Sequence, residues 1–483
     1  MTTVEPPLRA VIIGGGFTGA AVAWHLARMR LPARITVVEP RADLGRGQAY
    51  SATDPAHRLN VSADNNMSID PGNPLDFAEW LAQAQAAGRV APDPAAATEY
   101  GIFPARALFG RYMAERLQPD LDSGAIRHIR ARVGDIERGP EGTLMLHLSD
   151  DSRIRADLLV LATGHPAPAP PGFLVGLADV VDTSDSEGLA QVPQDGRVLI
   201  LGAALSSADA VATLARQGFK GRITCLSRHG LRSRGQGHVR ELSEADFTDP
   251  PLQGVSDLVR RVRHAVVDDQ ARGESWHAVL RRLRMQGPAI WAALDQPSRA
   301  RLLRHLRSFW DVHRYRLPPQ TEAVIQGLIA EDRLHYQAGH VVSVHREADE
   351  LRVAWRPRGN GQVRQQGFDR LIVTTGPAQG RCIQGNPALG ALARLGLITA
   401  DPLGLGLATR ESCKAVDAQG QASDRILVAG PLARGHVGEL VGAPECAVHA
   451  RGIAQQIARR AAPSAMPLPT PQPPAPGRSA LSS

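Results

Sequence analysis

Lysine is almost missing from this chain. Lys220 and Lys414 are the only two lysines in 483 residues, so the formal charge of +7 is carried by arginine. No basic run interleaves with aromatic residues, which argues against a nucleic-acid surface. A weak attraction for anionic cofactors or substrates is what such a charge leaves. Cysteine is equally sparse. Cys225, Cys382, Cys413 and Cys446 are scattered and no Cys-x-x-Cys occurs, so neither a redox-active disulfide nor a zinc knuckle is indicated, and no metal site is expected. That usage suits a reducing cytoplasm. No apolar run approaches membrane-spanning length and no charged-then-apolar leader opens the chain, so neither a membrane partner nor export is expected. The length and a hydrophobic share of 43% allow two or three domains with sizeable cores. The stretch 462–483 is rich in Pro, Ser and Ala and reads as a disordered tail.

What the chain does have is a glycine loop in the right place. The apolar run Val11 to Ile13 leads into Gly14, Gly16 and Gly19, spaced G-x-G-x-x-G, and helical character follows over Ala20–Met29. Gly14 permits the tight turn, Gly16 lets backbone approach a pyrophosphate, and Gly19 lets helix pack on strand. The helix N-terminus then offers free N–H groups to phosphates. A second strand, Arg34–Val38, ends at Glu39, twenty-five residues after Gly14, where a carboxylate can hold ribose hydroxyls. Beyond it, Arg46 between Gly45 and Gly47 is placed to stack on adenine, pair with a phosphate or simply face solvent. The polar segment Asp54 to Ser68 is long and irregular, which points either to function or to a packed surface loop; Asn60, Asn65 and Ser68 are candidate donors to a planar ring. Arg106 stands at a helix start, where the dipole disfavours a cation, so an anionic partner is expected. Strand-like runs at Arg127–Val133, Thr143–Leu148 and Arg153–Ile154 lead to Asp157-Leu-Leu-Val-Leu-Ala-Thr-Gly164, a buried parallel strand.

The plan then repeats. Arg197–Gly202 and Arg222–Arg228 are strands around a helix that runs to about Gln217. Leu334–Gln337, Val341–His345 and Leu351–Trp355 read as a meander, and Phe368–Gly376 echoes Asp157–Gly164, an Asp before an apolar strand ending in Thr-Gly. The reading is α/β: two Rossmann-like dinucleotide-binding units with three-stranded meander crossovers. Their expected bounds are 1–190 and 191–380, with a return to the first over 381–461 and a helical insertion in the second at about 255–318. In the insertion, Pro288 suits the first turn of a third helix carrying Leu294 and Leu302. It closes on His313, Arg314 and Arg316, either cations favouring a helix C-terminus or a wall of the substrate cavity.

Several of these stretches together resemble a family. Gly14–Gly19, Gly45–Tyr50, Leu59–Val61 with Met67 and Ser68, Ala162–Pro166, Trp310–Arg316, and Gly430-Pro431 with Ala443-Pro444-Glu445 are similar to bacterial FAD/NAD(P)-binding proteins. That family is distantly related to amine N-hydroxylating monooxygenases. The resemblance implies FAD on the first unit, with contacts from Gly14, Gly16, Phe17, Thr18, Gly19, Glu39, Arg46, Asn60, Met67, Ser68, Val133, Ala162, Thr163, Gly164, Gly430 and Pro444. It implies NAD(P)H on the second, at the motif that opens with Gly202, and Arg106, His165 and Arg314 near the flavin ring as catalytic candidates; the position of Arg228 makes NADPH the expected form. The family's second glycine motif reads Gly-Thr-Gly-Leu-Thr, but here it is Gly202-Ala-Ala204-Leu-Ser, and a methyl group at Ala204 faces the pyrophosphate position. Arg228 ends the second strand, twenty-six residues after Gly202, where a cation suits a 2′-phosphate. The expected activity is an NAD(P)H-dependent monooxygenase hydroxylating a small amine or heteroaromatic. The alternatives are a dehydrogenase or oxidase reduced by its own substrate, and a non-catalytic flavin module.

Overall fold

The computed structural model describes residues 7–461 except 170, 175, 178, 179, 184 and 360; the expected Pro-rich tail lies outside the described residues. Two parallel sheets organise the chain. The first runs Lys414–Val416, Ala422–Val428, Leu158–Leu161, Leu8–Ile13, Ala33–Val38, Ile126–Ile129 across the sheet, all parallel except the first pair. The second runs Val180–Asp182, Arg370–Val373, Arg197–Leu201, Arg222–Ser227, Leu334–Glu347, and then turns antiparallel through Glu350–Pro357 and Arg364–Phe368. The central strands are apolar runs without alternation, as burial on both faces requires.

The two meanders differ. In the first unit Val133–Arg138, Leu144–Leu148 and Arg153–Ala156 form a separate sheet, and the expected Arg127–Val133 run is split between that sheet and the parallel one. In the second unit the two expected strands Leu334–Gln337 and Val341–His345 are one fourteen-residue strand, Leu334–Glu347. It pairs in parallel through Ala338 and antiparallel from Gly339, passing from sheet to hairpin without a break, with a bulge between Val341 and Ser343.

The insertion consists of helices Val255–Ala271, Trp276–Ala293, Gln296–His305 and Arg307–Arg314, with its own small core of Phe247, Leu258, Ala265, Val279, Ile290 and Leu294. Pro288 does not open a helix; it lies inside Trp276–Ala293. Burial of Ile290 and Trp291 beyond it holds the last turn against the lost backbone hydrogen bond. The next helix starts instead at Gln296, capped by Asp295 with Pro297 in its first turn.

The two units are braced across their seam by polar groups. Arg216 on the helix Leu205–Arg216 pairs with both oxygens of Asp54 at 2.9 and 3.1 Å. The Thr213 hydroxyl donates to Asp54 at 2.8 Å, so His57 Nε2, 3.0 Å from that hydroxyl, is the donor in their contact. Arg106 reaches Asp209 at 3.0 Å, and Gln236 donates to the carbonyls of Asn60 and Leu317.

Three histidines are folded inward: His25 on the glycine-loop helix and His277, stacked on Trp276, are buried, and His449 on the last helix is half-buried. Burial pushes each pKa down to about 4. Because the unfolded value is about 6.5, these groups support folding fully above that pH and lose their contribution as pH falls toward 4. Thermal unfolding followed from pH 7.5 to 5 is therefore expected to show a falling midpoint that begins below about pH 6.5. A midpoint flat across that window would contradict the buried neutral state.

Candidate functional site

The site starts where Leu8–Ile13 runs into Gly14. Gly14 has φ +99°, and a Cβ there would sit 2.8 Å from the Ala162 carbonyl carbon. A Cβ on Gly19 would overlap the Gly14 carbonyl oxygen, so strand, loop and helix touch along bare backbone. Gly16 is the N-cap of Phe17–Arg28, with no capping side chain and no acid in the first turn, and Phe17 and Thr18 form that buried turn. A side chain on Gly16 would meet nothing closer than the Gly47 Cα at 3.5 Å. The N–H groups of the helix's first turn have no capping side chain, the arrangement that receives a phosphate group. Glu39 is buried; its Oε2 accepts from the Gly15 N–H at 2.9 Å, so the acid is aligned by the loop itself.

The other expected cofactor contacts distribute around this point. Ala162, Thr163 and Gly164 follow Leu158–Leu161 directly, with Ala162 buried against Gly14 and Gly19. Val133 is buried at the start of its meander strand and Met67 in the first core. Arg46 lies 3.1 Å from Asp43. Ser68 departs from expectation: its hydroxyl donates to the Asp70 carbonyl and accepts the Asp70 N–H, closing a local turn rather than facing a ring. Asn65 is exposed on the same loop, and the Asn60 carbonyl is held by Gln236. Gly430, at φ +77°, packs on Thr18, and its N–H donates to His449 Nδ1 at 3.1 Å. His449 therefore carries its proton on Nε2, aimed at the Cys413 sulfur 3.0 Å away. Pro444 lies in the first turn of Ala443–Ala461, beside Glu445.

The three catalytic candidates separate. Arg106 finds its anion within the chain, in Asp209, and also donates to the Arg58 carbonyl; the expected external partner is replaced by an internal one. Arg314 is buried and committed, with Nε 2.8 Å from Glu439 and a terminal nitrogen 3.2 Å from Glu445. Glu445 also pairs with Arg284. Burial pushes the Glu445 carboxyl up, but Arg284 and Arg314 outweigh it and leave its pKa lowered. Arg314 thus fastens the insertion to the N-terminus of Ala443–Ala461 rather than presenting a free guanidinium. His165 is different. Its Nδ1 accepts from the Gln379 amide at 2.6 Å, joining the loop after Leu158–Leu161 to the loop after Arg370–Val373. The ring lies on an exposed stretch, yet the packing around it and the charges of Arg434 and Arg307 push its pKa down to about 4. It is neutral at pH 7, with Nε2–H available as a donor. Asp209, Glu439 and Arg284 escape a sequence reading: Asp209 and Arg284 lie on ordinary helices and Glu439 in a connection, and none of the three sits in a motif.

The second glycine loop copies the first with two changes. Gly202 has φ +137°, and a Cβ there would sit 3.0 Å from the Thr374 carbonyl oxygen, as Gly14 does against Ala162. The N-cap of Leu205–Arg216 is Ala204, exposed, again with no capping side chain and no acid in the first turn. Ser207 replaces the third glycine and donates to the Ala204 carbonyl at 2.7 Å. Arg228, just past the end of Arg222–Ser227, lines a cavity of about 390 Å³ with His340, Arg356 and Arg358. Arg358 donates to His229 Nδ1 at 2.7 Å there.

Two substitutions separate ligand binding from folding. Gly16→Val is expected to fold with an unchanged unfolding midpoint of the flavin-free protein, yet to lose FAD on purification, read from the flavin absorbance. Arg314→Ala leaves Glu439 buried and unpaired and is expected to lower stability by about 3–5 kcal/mol in urea unfolding. A loss under about 1 kcal/mol would mean the pair does not brace the insertion.

Comparisons with known proteins match the fold. No curated protein matches the chain. Its fold matches ornithine N-hydroxylase from Kutzneria sp. 744, whose structure was determined with reduced FAD, NADP+ and L-ornithine. The TM-score is 0.65 at 17% identity, over 94% of this chain and 100% of that one. It also matches L-lysine 6-monooxygenase from Pseudomonas syringae, with TM-score 0.64 at 20% identity over 94% and 99%. The FAD-bound cadaverine monooxygenase from Erwinia amylovora gives 0.64 at 12% identity over 97% and 99%. The glycine loop, Glu39 and the Ala162-Thr163-Gly164 loop all fall within residues 11–166, the segment that matches a family described as FAD-NAD(P)-binding, on a chain that has the fold of these three enzymes.

Proposed function

We propose that this chain is an FAD-dependent oxidoreductase, a monooxygenase in which NADPH is the reductant and a small amine or heteroaromatic is the substrate. The observation that carries the reading is the pairing of two glycine loops, each ending on a helix with a bare N-terminus, in one braced molecule. FAD belongs on the first, where Gly16 leaves room for the diphosphate and Glu39 is already aligned. When bound, the flavin supplies hydride acceptance and oxygen activation. The chain's part is to bind, orient and exclude water. Neutral His165, fixed by Gln379 between the two strand-end loops, is suited to donate one hydrogen bond there without competing for a proton at pH 7. Arg314, Glu439 and Glu445 hold the helical wall in place.

The choice of NADPH rests on the cationic cavity at Arg228, which suits a 2′-phosphate, with His340, Arg356 and Arg358 beside it. Ala204 acts against it. Its methyl group stands on the helix N-terminus that a pyrophosphate must approach, so weak binding is expected. That one residue favours a second reading, a flavin dehydrogenase or oxidase reduced by its own substrate. Stopped-flow flavin reduction by NADPH and NADH separates the two. NADPH should be preferred in wild type, Arg228→Ala should abolish the preference, and Ala204→Gly should tighten both nucleotides. Reduction by neither nucleotide, even in Ala204→Gly, would transfer the assignment to the substrate-reduced enzyme.

A further inference from the structure

The last helix of the insertion, Arg307–Arg314, lies along the segment 434–439. Its Trp310 indole N–H and its Arg314 Nε reach Glu439 at 3.3 and 2.8 Å. One residue further on, and so on the neighbouring flank, stand Asp311 and Tyr315, a turn apart. Here the polar groups stop matching. Arg434 is only 8% exposed, yet its one side-chain bond runs from Nε to the Gly438 carbonyl at 3.3 Å. Among the described residues, neither of its terminal nitrogens has a hydrogen bond or an ion pair. Asp311 gives Oδ2 to Arg307 at 3.4 Å, while its Oδ1 is buried without a partner. The Tyr315 hydroxyl is buried and unpartnered too. So is Oε1 of Gln379, a residue 6% exposed whose amide nitrogen holds His165.

These groups share one neighbourhood. The charge of Arg434 bears on Asp311, Tyr315 and His165, and that of Arg307 on Asp311 and His165. Arg434 is fixed there through its neighbour, since the Gly435 carbonyl accepts the Trp291 indole N–H at 2.9 Å. Burial raises the Asp311 carboxyl's pKa even against the pull of Arg307 and Arg434, as for a carboxylate short of partners.

Unpaired polar atoms are costly in an interior, and buried ions cost the most. The charges here balance, but the contact is not made. Glu439 is taken by Arg314, and Arg307, 40% exposed, shares its charge with solvent. That leaves Asp311 as the counter-charge of Arg434, and no ion pair joins the two among the described residues. An anion between them would be repelled by Asp311, and a cation by Arg434. A neutral group with an acceptor at one end and a donor at the other satisfies both. The carbonyl and N–H of an amide, a lactam or an oxo-heteroaromatic ring have that pattern.

We propose that Arg434, Asp311 and Tyr315 form a substrate-binding site for an amide-type edge, its carbonyl on Arg434 and its N–H on Asp311. Calling the bound molecule a substrate rests on the oxidoreductase reading; recognition of the edge rests on the unpaired atoms. The consequence is a narrower substrate class, a heteroaromatic or amide-bearing molecule and not a simple amine.

The test uses the FAD-loaded protein and three probes of one shape. Benzamide offers a carbonyl and an N–H, benzoate offers acceptors with a negative charge, and benzamidine offers donors with a positive charge. Binding is read from the rise of the thermal midpoint with probe concentration, near neutral pH and at constant ionic strength. In wild type, benzamide should bind about tenfold or more tightly than either ion. Asp311→Asn turns an acceptor into a donor beside Arg434 and should shift the preference toward benzoate. Arg434→Gln leaves Asp311 without its counter-charge and should shift the preference toward benzamidine. A merely structural role lowers stability in both variants and creates new binding in neither, so misfolding cannot imitate the result. A wild type that ignores benzamide, or that binds either ion as well, overturns the proposal. Folded variants that keep the wild-type order of preference overturn it too, and where one variant does not fold the other decides. Failure of the oxidoreductase reading is seen separately, in flavin content and in flavin reduction by NADPH.

Discussion

Helix Phe17–Arg28 can lie on strand Leu8–Ile13 only at a distance that excludes a side chain at Gly19. The Gly14 carbonyl oxygen occupies the volume that a Cβ would need. That close approach sets the rest of the first unit. It aims the helix N-terminus past Gly16, brings Ala162 against the loop, and leaves Glu39 one hydrogen bond from Gly15. Gly430 then closes on Thr18 from the far side, so the returning segment packs on the same bare turn. In the second unit the constraint is relaxed. Ser207 stands where Gly19 does and satisfies its hydroxyl on the Ala204 carbonyl.

Charge plays two distinct parts. Across the seam and around the insertion, arginines are matched to carboxylates on elements distant in sequence, as with Arg106 and Asp209, Arg216 and Asp54, and Arg314 with Glu439 and Glu445. Removing one partner of such a buried or half-buried pair strands the other, which makes these contacts specific. At Arg228 the arginine instead lines a cavity together with Arg356 and Arg358. With nearly every basic residue an arginine, composition alone cannot tell the two kinds apart.

This difference marks what could be read in advance. The glycine loop, Glu39, the Thr-Gly strand ends and the repeat of the whole plan are local patterns with fixed spacing, and each appears where the spacing puts it. Arg106 and Arg314 were legible as unusual cations but not as satisfied ones, because their partners lie 103 to 131 residues away. Ser68 was misread because a serine two residues before an Asp can bond its own turn, an alternative that polarity alone does not exclude. Pro288 was misread for a related reason: a proline signals a helix start unless tertiary packing keeps the helix going through it. The long strand Leu334–Glu347 looked like two because Gly339 falls between the two apolar runs, where pairing passes from parallel to antiparallel on a continuous backbone.

Helix Leu205–Arg216 holds Asp209, Thr213 and Arg216 at successive turns, four and three residues apart, on one face. All three engage the first unit, through Arg106, His57 and Asp54. Twelve residues of helix make a rod about 18 Å long. One end of that rod carries the second glycine loop, and its flank is pinned to the polar loop beside the first. The separation between the two nucleotide loops is thus set by the length of a rigid strut and not by the slack of a linker. A change in one loop's tilt is geared directly to the other, and swinging the units apart would require three turns of contacts to release together.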